Sequence, residues 1–292
     1  MTLKPVTFKG RPYVVTWLLL TCVLVLPTQV FAEVKLSLGL YTSDRPTVLV
    51  KKFAPLTGRL AQKMSIELGE PVRIKFHISK TYAEGVQALV SGKVDFARLG
   101  PASYVLASNQ NPEISILAIE TKKGKKRFNG VICVRSDSDI HTVSDLKGKR
   151  FAFGSETSTI GRYLSQQYLL KHNIKSHDLK SYEYLGRHDK VGYGVSRGLY
   201  DAGALKESTF NKLVKKGQKI RALAKFENIT KPWVARSGLD NHITDALQKV
   251  LLDLTDVEIL DALNKDGFVK GTADDYVLIQ QAIKSNGNFF QR

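Results

Sequence analysis

Four hydroxyl side chains stand within five positions of one short segment, GSETSTIG, which spans residues 154–161. They are Ser155, Thr157, Ser158 and Thr159. An apolar run ends at Gly154 and a helical pattern follows, so these hydroxyls and several backbone N–H groups converge near the partly positive start of a helix. An ordinary helix cap needs only one hydroxyl. The pattern therefore favours a site for a small tetrahedral oxyanion over a simple cap.

Three other polar residues could contact a ligand, although each also has a structural interpretation. Tyr104 would lie one turn into a helix that starts at Pro101 in GPASY, or it could be a core residue. His188 lies on the polar loop GRHDK, where a histidine can donate to an anion or face solvent. Asp201 lies at a strand terminus in GLYDAGA, where an aspartate can also cap the next helix.

The sequence contains no catalytic set. The GxSxG, HExxH, P-loop and GxGxxG motifs are absent, and the six histidines show no metal-site spacing. The two cysteines, Cys22 and Cys133, exclude a cysteine-based zinc cluster and a disulfide-rich scaffold. His188 with Ser158 is the one conceivable pair of base and nucleophile. We therefore predict a protein that is not an enzyme and that uses neither a cofactor nor a metal.

Strand and helix patterns alternate along the chain and place these residues at strand-to-helix junctions. The apolar fraction of 43% is typical of a globular core. Strands are predicted over residues 34–41, 72–79, 94–100, 128–137, 149–155, 181–186 and 220–226, with helices between most of them. Pro55 should kink or divide the helix that follows the first strand. The predicted fold class is α/β with a mostly parallel arrangement of strands.

Two stretches of the chain align with each other without gaps. Residues 86–104 (VQALVSGKVDFARLGPASY) match residues 192–210 (GYGVSRGLYDAGALKESTF), so that Gly92 falls on Gly198 and Asp95 falls on Asp201. Each stretch has a helix end, a glycine stop, a short strand that starts at Asp, and a new helix. The match indicates two similar α/β lobes that face each other across a central cleft, or else one doubly wound sheet with a repeated βα unit.

The first 32 residues have the pattern of a secretory signal peptide. Three basic residues come first: Lys4, Lys9 and Arg11. An apolar stretch over residues 13–26 follows, and then the small-residue site of Val30, Phe31 and Ala32. We predict cleavage after Ala32 and a periplasmic location for residues 33–292. An uncleaved membrane anchor is the alternative, although the apolar stretch is short for a membrane span.

The chain is strongly basic, with a net charge of +17 at pH 7. Three of its basic residues leave with the predicted signal peptide, which has no acidic residue, so the mature chain keeps +14. Such a charge suits an anionic ligand, anionic lipid or nucleic acid. The one basic cluster, residues 122–127, is predicted to be a solvated turn, and no nucleic-acid-binding motif accompanies it. We therefore expect no nucleic-acid partner.

With these motifs considered together, the chain resembles the periplasmic phosphate/phosphite/phosphonate-binding proteins of ABC importers. The similarity spans essentially all of residues 33–292, through YTSDRP, SGKVDFARLGPASYVLA, the hydroxyl-rich segment, GRHDKV and GLYDAGALK. It implies a type II solute-binding fold, with lobe one from residues 33–121 and 229–292 and lobe two from residues 122–228, closing at a hinge. It also implies a monomer that delivers a small oxyanion to an ABC transporter permease.

By the same resemblance, Tyr41 and Tyr104 of lobe one would face a set of ligand-binding residues on lobe two. These are Thr157, Ser158, Thr159, His188 and Asp201. Thr157 or Ser155 could replace the hydroxyl that the family has where this chain has Ile160. Asp201 only accepts hydrogen bonds, so it should select protonated phosphorus oxyanions or aminophosphonates over sulfate. The Asp201→Asn change is therefore expected to alter selectivity more than folding.

Three alternatives stay open at this point. A ligand sensor for a membrane kinase would have the same fold, and a sulfonate or another oxyanion could replace the phosphorus ligand. A secreted enzyme acting on a phosphorus compound would depend on His188 and Ser158. Trp233 offers a probe, because it is the only tryptophan of the predicted mature chain and lies where the chain should cross back to lobe one.

Overall fold

The computed structural model describes residues 1–5, 10, 32–41 and 46–292 and builds them from alternating strands and helices. Its strands are β1 (Val34–Tyr41), β2 (Val72–Ser79), β3 (Phe96–Arg98), β4 (Ser115–Thr121), β5 (Arg127–Arg135), β6 (Arg150–Phe153), β7 (Ser181–Tyr184), β8 (Ala202–Lys206), β9 (Ile220–Ile229), β10 (Pro232–Ala235) and β11 (Gly267–Val269). Its α-helices are α1 (Pro46–Leu68), α2 (Tyr82–Val90), α3 (Pro101–Gln110), α4 (Ser165–Lys171), α5 (His188–Ser196), α6 (Glu207–Lys215), α7 (Asn241–Leu252), α8 (Val257–Leu263) and α9 (Val277–Lys284). A π-helical turn, Thr159–Leu164, leads directly into α4.

The strands form two sheets whose equivalent strands follow the same order. The first sheet has the order β2-β1-β3-β10-β4-β11, and the second sheet has the order β7-β6-β8-β5-β9. In the first sheet β1 is parallel to β2 and β3, while β10 is antiparallel to β3. In the second sheet β6 is parallel to β7 and β8, while β5 is antiparallel to β8. The prediction of two similar α/β lobes is confirmed, and the alternative of one doubly wound sheet is wrong.

Helix α1 packs on the first sheet and shows how a proline is tolerated inside a long helix. Phe53, Leu56, Leu60 and Met64 recur at helical spacing and are all buried in the core of this sheet. Pro55 lies on the exposed side, where water can bond to the carbonyl group that loses its N–H partner. The helix therefore runs from Pro46 to Leu68 without the division considered at Pro55.

Two short connections join the sheets. The outgoing one, residues 122–126, lies between β4 and β5, and the return, residues 230–231, lies between β9 and β10. They run side by side, since the N–H of Thr230 donates to the carbonyl oxygen of Lys126 at 2.8 Å. Lys122 and Lys125 close the basic cluster into a tight turn, and the N–H of Gly124 donates to a carboxylate at 2.9 Å. The basic cluster is thus a turn of the hinge region.

The C-terminal residues pack against the second sheet, although the prediction assigned all of residues 229–292 to lobe one. Phe289 is fully buried against Phe153 of β6, with ring centroids 5.8 Å apart. Asn286 accepts from Nε of Arg162 at 3.1 Å and donates to Gln166 at 2.6 Å. Phe289 thus shields the aromatic face of the second sheet from solvent. The exact lobe boundaries stay a prediction.

The described residues from Ala32 to Arg292 form one compact unit. Most of the predicted signal peptide lies outside the residues that the structure describes. Within the described ranges, no helix is both long enough and apolar enough to span a bilayer.

Candidate ligand-binding site

Residues 155–159, hereafter the hydroxyl loop, connect the carboxyl end of β6 to the π-helical turn. Close approach of two backbones makes the loop tight: a Cβ on Gly161 would lie only 2.7 Å from the Cα of Gly154. Ser158 is the helix cap, because its Oγ accepts from the N–H of Gly161 at 3.0 Å. The hydroxyls of Ser155 and Thr157 lie 3.2 Å apart. Each keeps hydrogen-bonding capacity beyond that single contact.

Thr159 links the hydroxyl loop to the first-sheet side of the molecule. Its Oγ1 accepts from the N–H of Ala102, in the first turn of α3, at 3.0 Å. Tyr41, the last residue of β1, accepts from the N–H of Gly100 just before that helix. The Tyr41 hydroxyl also donates to Ser103 at 2.8 Å. The two strand-to-helix junctions therefore meet, one from each sheet.

His188 begins α5, and its ring lies over the base of the hydroxyl loop. A Cβ on Gly154 would lie 3.6 Å from both Nδ1 and Cε1 of this ring. Burial, followed by the nearby charge of Lys206, lowers the pKa of His188 to about 4, so the ring is neutral at pH 7. Its Nδ1 is buried and has no hydrogen-bond partner among the described residues. An unpaired buried polar atom costs roughly 1–3 kcal/mol, so a ligand atom would stabilise this position.

Two lysines that were not predicted as site residues lie close to His188. They are Lys206 at the end of β8 and Lys231 in the return connection, and their charges lower the pKa of His188. Neither pairs with a carboxylate in the described structure. Their ammonium groups face aromatic rings instead, Lys206 at 4.8 Å from the centre of Phe128 and Lys231 at 5.8 Å from that of Tyr41. Burial lowers the pKa of Lys206 to about 8 and the pKa of Lys231 well below its usual range.

The first sheet brings its own charges to the same region. Glu120 of β4 is fully buried and forms ion pairs with Arg98 and, at 2.8 Å, with Lys265. Its carboxylate also accepts from the indole Nε1 of Trp233 at 3.1 Å. Although burial acts to raise it, these two cations hold the pKa of Glu120 far below its ordinary value. Both oxygens of this carboxylate are thus occupied by first-sheet partners, so it does not neutralise the two lysines.

Asp201 does not join these residues. It directly precedes β8 and lies level with Arg150 at the amino end of β6, whereas the hydroxyl loop follows the carboxyl end of β6. Its carboxylate accepts from the backbone N–H of Arg150 at 2.7 Å and from Nη2 at 2.8 Å. The four-residue strand β6, about 13 Å long at roughly 3.3 Å per residue, separates it from the loop. The structure therefore does not bring Asp201 together with the hydroxyl loop, and Asp201 instead anchors the start of a strand at the opposite edge.

Tyr104 and Ile160 both belong to the core. Tyr104 is 4% exposed and packs edge-on against Tyr276, with ring centroids 4.8 Å apart, which favours its structural interpretation. Ile160 is 3% exposed and lies against Gly130 of β5. Its side chain therefore fills space behind the hydroxyl loop, and the ligand-facing donors must come from the residues before it.

No motif marks the two lysines, because hydroxyl-rich segments and known catalytic motifs do not include single charges at strand ends. A signal was present for Lys206, which ends the otherwise apolar strand AGALK. In α/β sheets, residues just beyond the carboxyl ends of strands lie at the ligand-binding edge. Asn228 gave no such signal, yet its buried Oδ1 also lacks a partner in the described structure.

Comparison with known proteins now decides the family. The family model for the periplasmic substrate-binding protein of phosphonate ABC transporters matches residues 38–276. The chain belongs to this family. As a member, the protein binds a substrate for an ABC transporter and is not an enzyme. Its two-sheet architecture is that of the type II periplasmic binding proteins.

Two similar proteins, one of which also has a crystal structure, illustrate the family. A probable ABC transporter phosphite binding protein, PhnD1 of Prochlorococcus marinus (strain MIT 9301), is 27% identical over 280 residues, which cover 88% of this chain and 92% of that protein. The phosphate-import protein PhnD of Mycolicibacterium smegmatis is 24% identical over 217 residues, which cover 69% of this chain and 67% of that protein. The crystal structure of PhnD1 from Prochlorococcus marinus with methylphosphonate has a TM-score of 0.70 at 24% identity and covers 87% of this chain and 97% of that one.

Proposed function

We propose that this protein captures a small phosphorus oxyanion between its two sheets and delivers it to the membrane permease of an ABC transporter. The observation that carries the proposal is the buried, unpartnered Nδ1 of His188, which lies against the hydroxyl loop. A ligand oxygen at this point would satisfy the nitrogen and would lie at the start of a helix, where anions are favoured.

The surrounding groups suit a tetrahedral anion. Ser155 and Thr157 can turn hydroxyl hydrogens towards it, and Thr159 can donate while it accepts from Ala102. Lys206 and Lys231 supply positive charge in a region from which water is largely removed, where electrostatic attraction is stronger than in solvent.

We propose that Asn228, instead of Asp201, provides the oxygen that accepts a hydrogen bond from the ligand. Asn228 lies opposite Phe128 in the pair of β9 and β5, and Gly130, two residues on, lies opposite Lys206. Because side chains two residues apart share a face of a sheet, Asn228 and Lys206 are on the same face. The buried Oδ1 can accept from the O–H of hydrogen phosphate, a dianion that keeps one proton, whereas sulfate at pH 7 has no proton to offer.

The relatives support a phosphorus ligand, since their names specify phosphite binding and phosphate import, and one crystal structure contains methylphosphonate.

We further propose that the protein is exported, cleaved after Ala32, and monomeric in the periplasm. The compact unit that begins at Ala32 supports this position of cleavage. Intact-mass measurement of secreted protein tests it, and a mass that includes Met1 would contradict it.

A thermal-shift panel tests the ligand class. Methylphosphonate, phosphite or phosphate should stabilise the protein, because a ligand at 100 times its dissociation constant adds about 2.7 kcal/mol. Thr159→Val should lose the stabilisation, since it removes a hydroxyl of the loop with little change in shape. Lys215→Met, at an exposed position on α6, is the matched control and should keep it. Absence of stabilisation by every phosphorus oxyanion would contradict the proposal.

A further inference from the structure

We propose that the site prefers dianionic ligands to monoanionic ligands of the same shape, and so selects phosphonates over sulfonates by charge. This inference rests on the proposed function and specifies its substrate class. The observation that carries it is that two partly buried lysines beside His188, Lys206 and Lys231, pair with no described carboxylate.

On the first-sheet side the cations share a carboxylate. Arg98 and Lys265 both contact Glu120, whose side chain is fully buried, and the side chains of Arg98 and Lys265 are only 15% and 12% exposed. One carboxylate shared by two cations leaves one positive charge in excess. This group is held together by the protein itself and needs no ligand.

Lys206 and Lys231 differ from that group because no described carboxylate lies within ion-pair distance of either. Both are only partly exposed. The charged groups that act on Lys206 are Lys265, Arg98, Glu120 and Lys122. The charged groups that act on Lys231 are Arg98, Glu120, Lys206 and Lys265. Cations therefore predominate among the groups that act on the two lysines, and Glu120, the anion that acts on both, is already shared by Arg98 and Lys265.

When both lysines are protonated, their ammonium groups have no described carboxylate partner, and two negative charges from a ligand would compensate them. A phosphonate can carry both charges on one tetrahedral head, whereas a sulfonate of the same shape carries only one. A monoanion leaves positive charge desolvated and uncompensated, which is costly in a low-dielectric site. Burial and the neighbouring cations lower the pKa of both lysines, and a dianion favours their protonated forms. Shape alone cannot make this distinction, because the two heads have nearly equal size.

Calorimetry with methylphosphonate and methanesulfonate tests the inference on the mature wild-type protein. Methylphosphonate should bind at least about a hundredfold more tightly, as expected for one extra charge near two partly desolvated cations. Sulfate, a dianion, should bind more tightly than methanesulfonate. This comparison needs no variant and does not depend on how substitutions affect folding.

Variants then locate the effect. Lys206→Met and Lys231→Met should each reduce the preference for methylphosphonate to about tenfold or less, because one uncompensated charge is removed. Lys215→Met on α6 should leave the preference unchanged, and thermal unfolding verifies that all three variants fold. Equal wild-type affinities for methylphosphonate and methanesulfonate would overturn the charge preference and leave the proposed function standing. Failure of both ligands and of phosphite and phosphate would overturn both.

Discussion

In both copies of the internal repeat, residues 86–104 and 192–210, the strand starts with the same contact to its parallel neighbour. In the first copy, Asp95 accepts from the backbone N–H of Ser37 at 2.8 Å and returns its own N–H to the Ser37 carbonyl at 3.0 Å. In the second copy, Asp201 makes the same exchange with Arg150 at 2.7 and 3.0 Å. An aspartate thus fixes the start of a central strand to its parallel neighbour in both lobes.

The copies differ where each strand meets the following helix. The first copy ends with Arg98, which Glu120 pairs, and with Gly100, whose N–H bonds to Tyr41. The second copy ends with Lys206, which no described carboxylate pairs. The shared aspartates fix the strands, whereas Lys206, which aligns with Gly100 of the first copy, lies near His188. The shared aspartate was therefore a poor indicator of the site.

The largest effect should come from Glu120→Gln, which removes the β4 carboxylate that pairs with Arg98 of the first copy. Arg98 and Lys265 would then be left without an anion, and breaking a buried pair in this way costs about 3–5 kcal/mol. The pKa of Glu120 is lowered in the folded state, so its contribution is present above the unfolded pKa and is lost as pH falls through the folded pKa. Urea unfolding at pH 7 measures the loss. Wild-type stability in this variant would show that the first copy does not need its carboxylate.

Asp95→Asn and Asp201→Asn should have similar, smaller effects if the shared contact is structural in both copies. Each change weakens a carboxylate that accepts from a backbone N–H and from an arginine, which should cost about 1–3 kcal/mol. Ligand selectivity should not change. Chemical denaturation and calorimetry measure the two properties separately. Reduced discrimination against sulfate in Asp201→Asn, with unaltered stability, would instead restore the role first predicted for that residue.

His188→Leu should weaken ligand binding about tenfold, or 1.4 kcal/mol, without lowering the stability of the unliganded protein. The histidine has an unpaired buried nitrogen, which leucine lacks. Because the folded pKa of His188 is lowered to about 4, the wild type should lose stability as pH falls from roughly 6.5 towards 4, and the variant should lose less. Thermal unfolding across this range is the measurement. A variant that binds methylphosphonate normally would remove His188 from the site.

The smallest effect should be the fluorescence response of Trp233 to ligand. Trp233 lies two residues beyond the return connection but is fully buried, between Phe96 and Phe268 and bonded to Glu120. It should sense ligand mainly through that carboxylate, so we expect a small, saturable change with the affinity given by calorimetry. Thr159→Val should abolish both signals. A large red shift would mean that the first sheet opens around Trp233 when ligand binds.

The alternation of strands and helices was predictable because each element has its own apolar spacing. Three strands of the first sheet were not predicted, namely β4, β10 and β11. The last two have only four and three residues, which is too short for a pattern, and they depend on neighbours for their pairing.

The hydroxyl loop was predictable because its residues are consecutive. Lys206, Lys231 and Glu120 come from three separate parts of the chain and meet only after folding, so no local pattern connects them. The repeat itself misled the assignment of Asp201, since sequence similarity does not reveal which edge of a sheet a residue occupies.

The cover of the second sheet has a consequence for the order in which the protein can mature. Phe153 is buried by Phe289, and the helix behind the hydroxyl loop is bonded to Asn286. A ribosome synthesises Phe289 long after all five strands of that sheet. The second lobe therefore cannot complete its packing while most of the chain is being made. On the proposed export route, this late cover would leave the second lobe incompletely packed until the C-terminal residues have been synthesised.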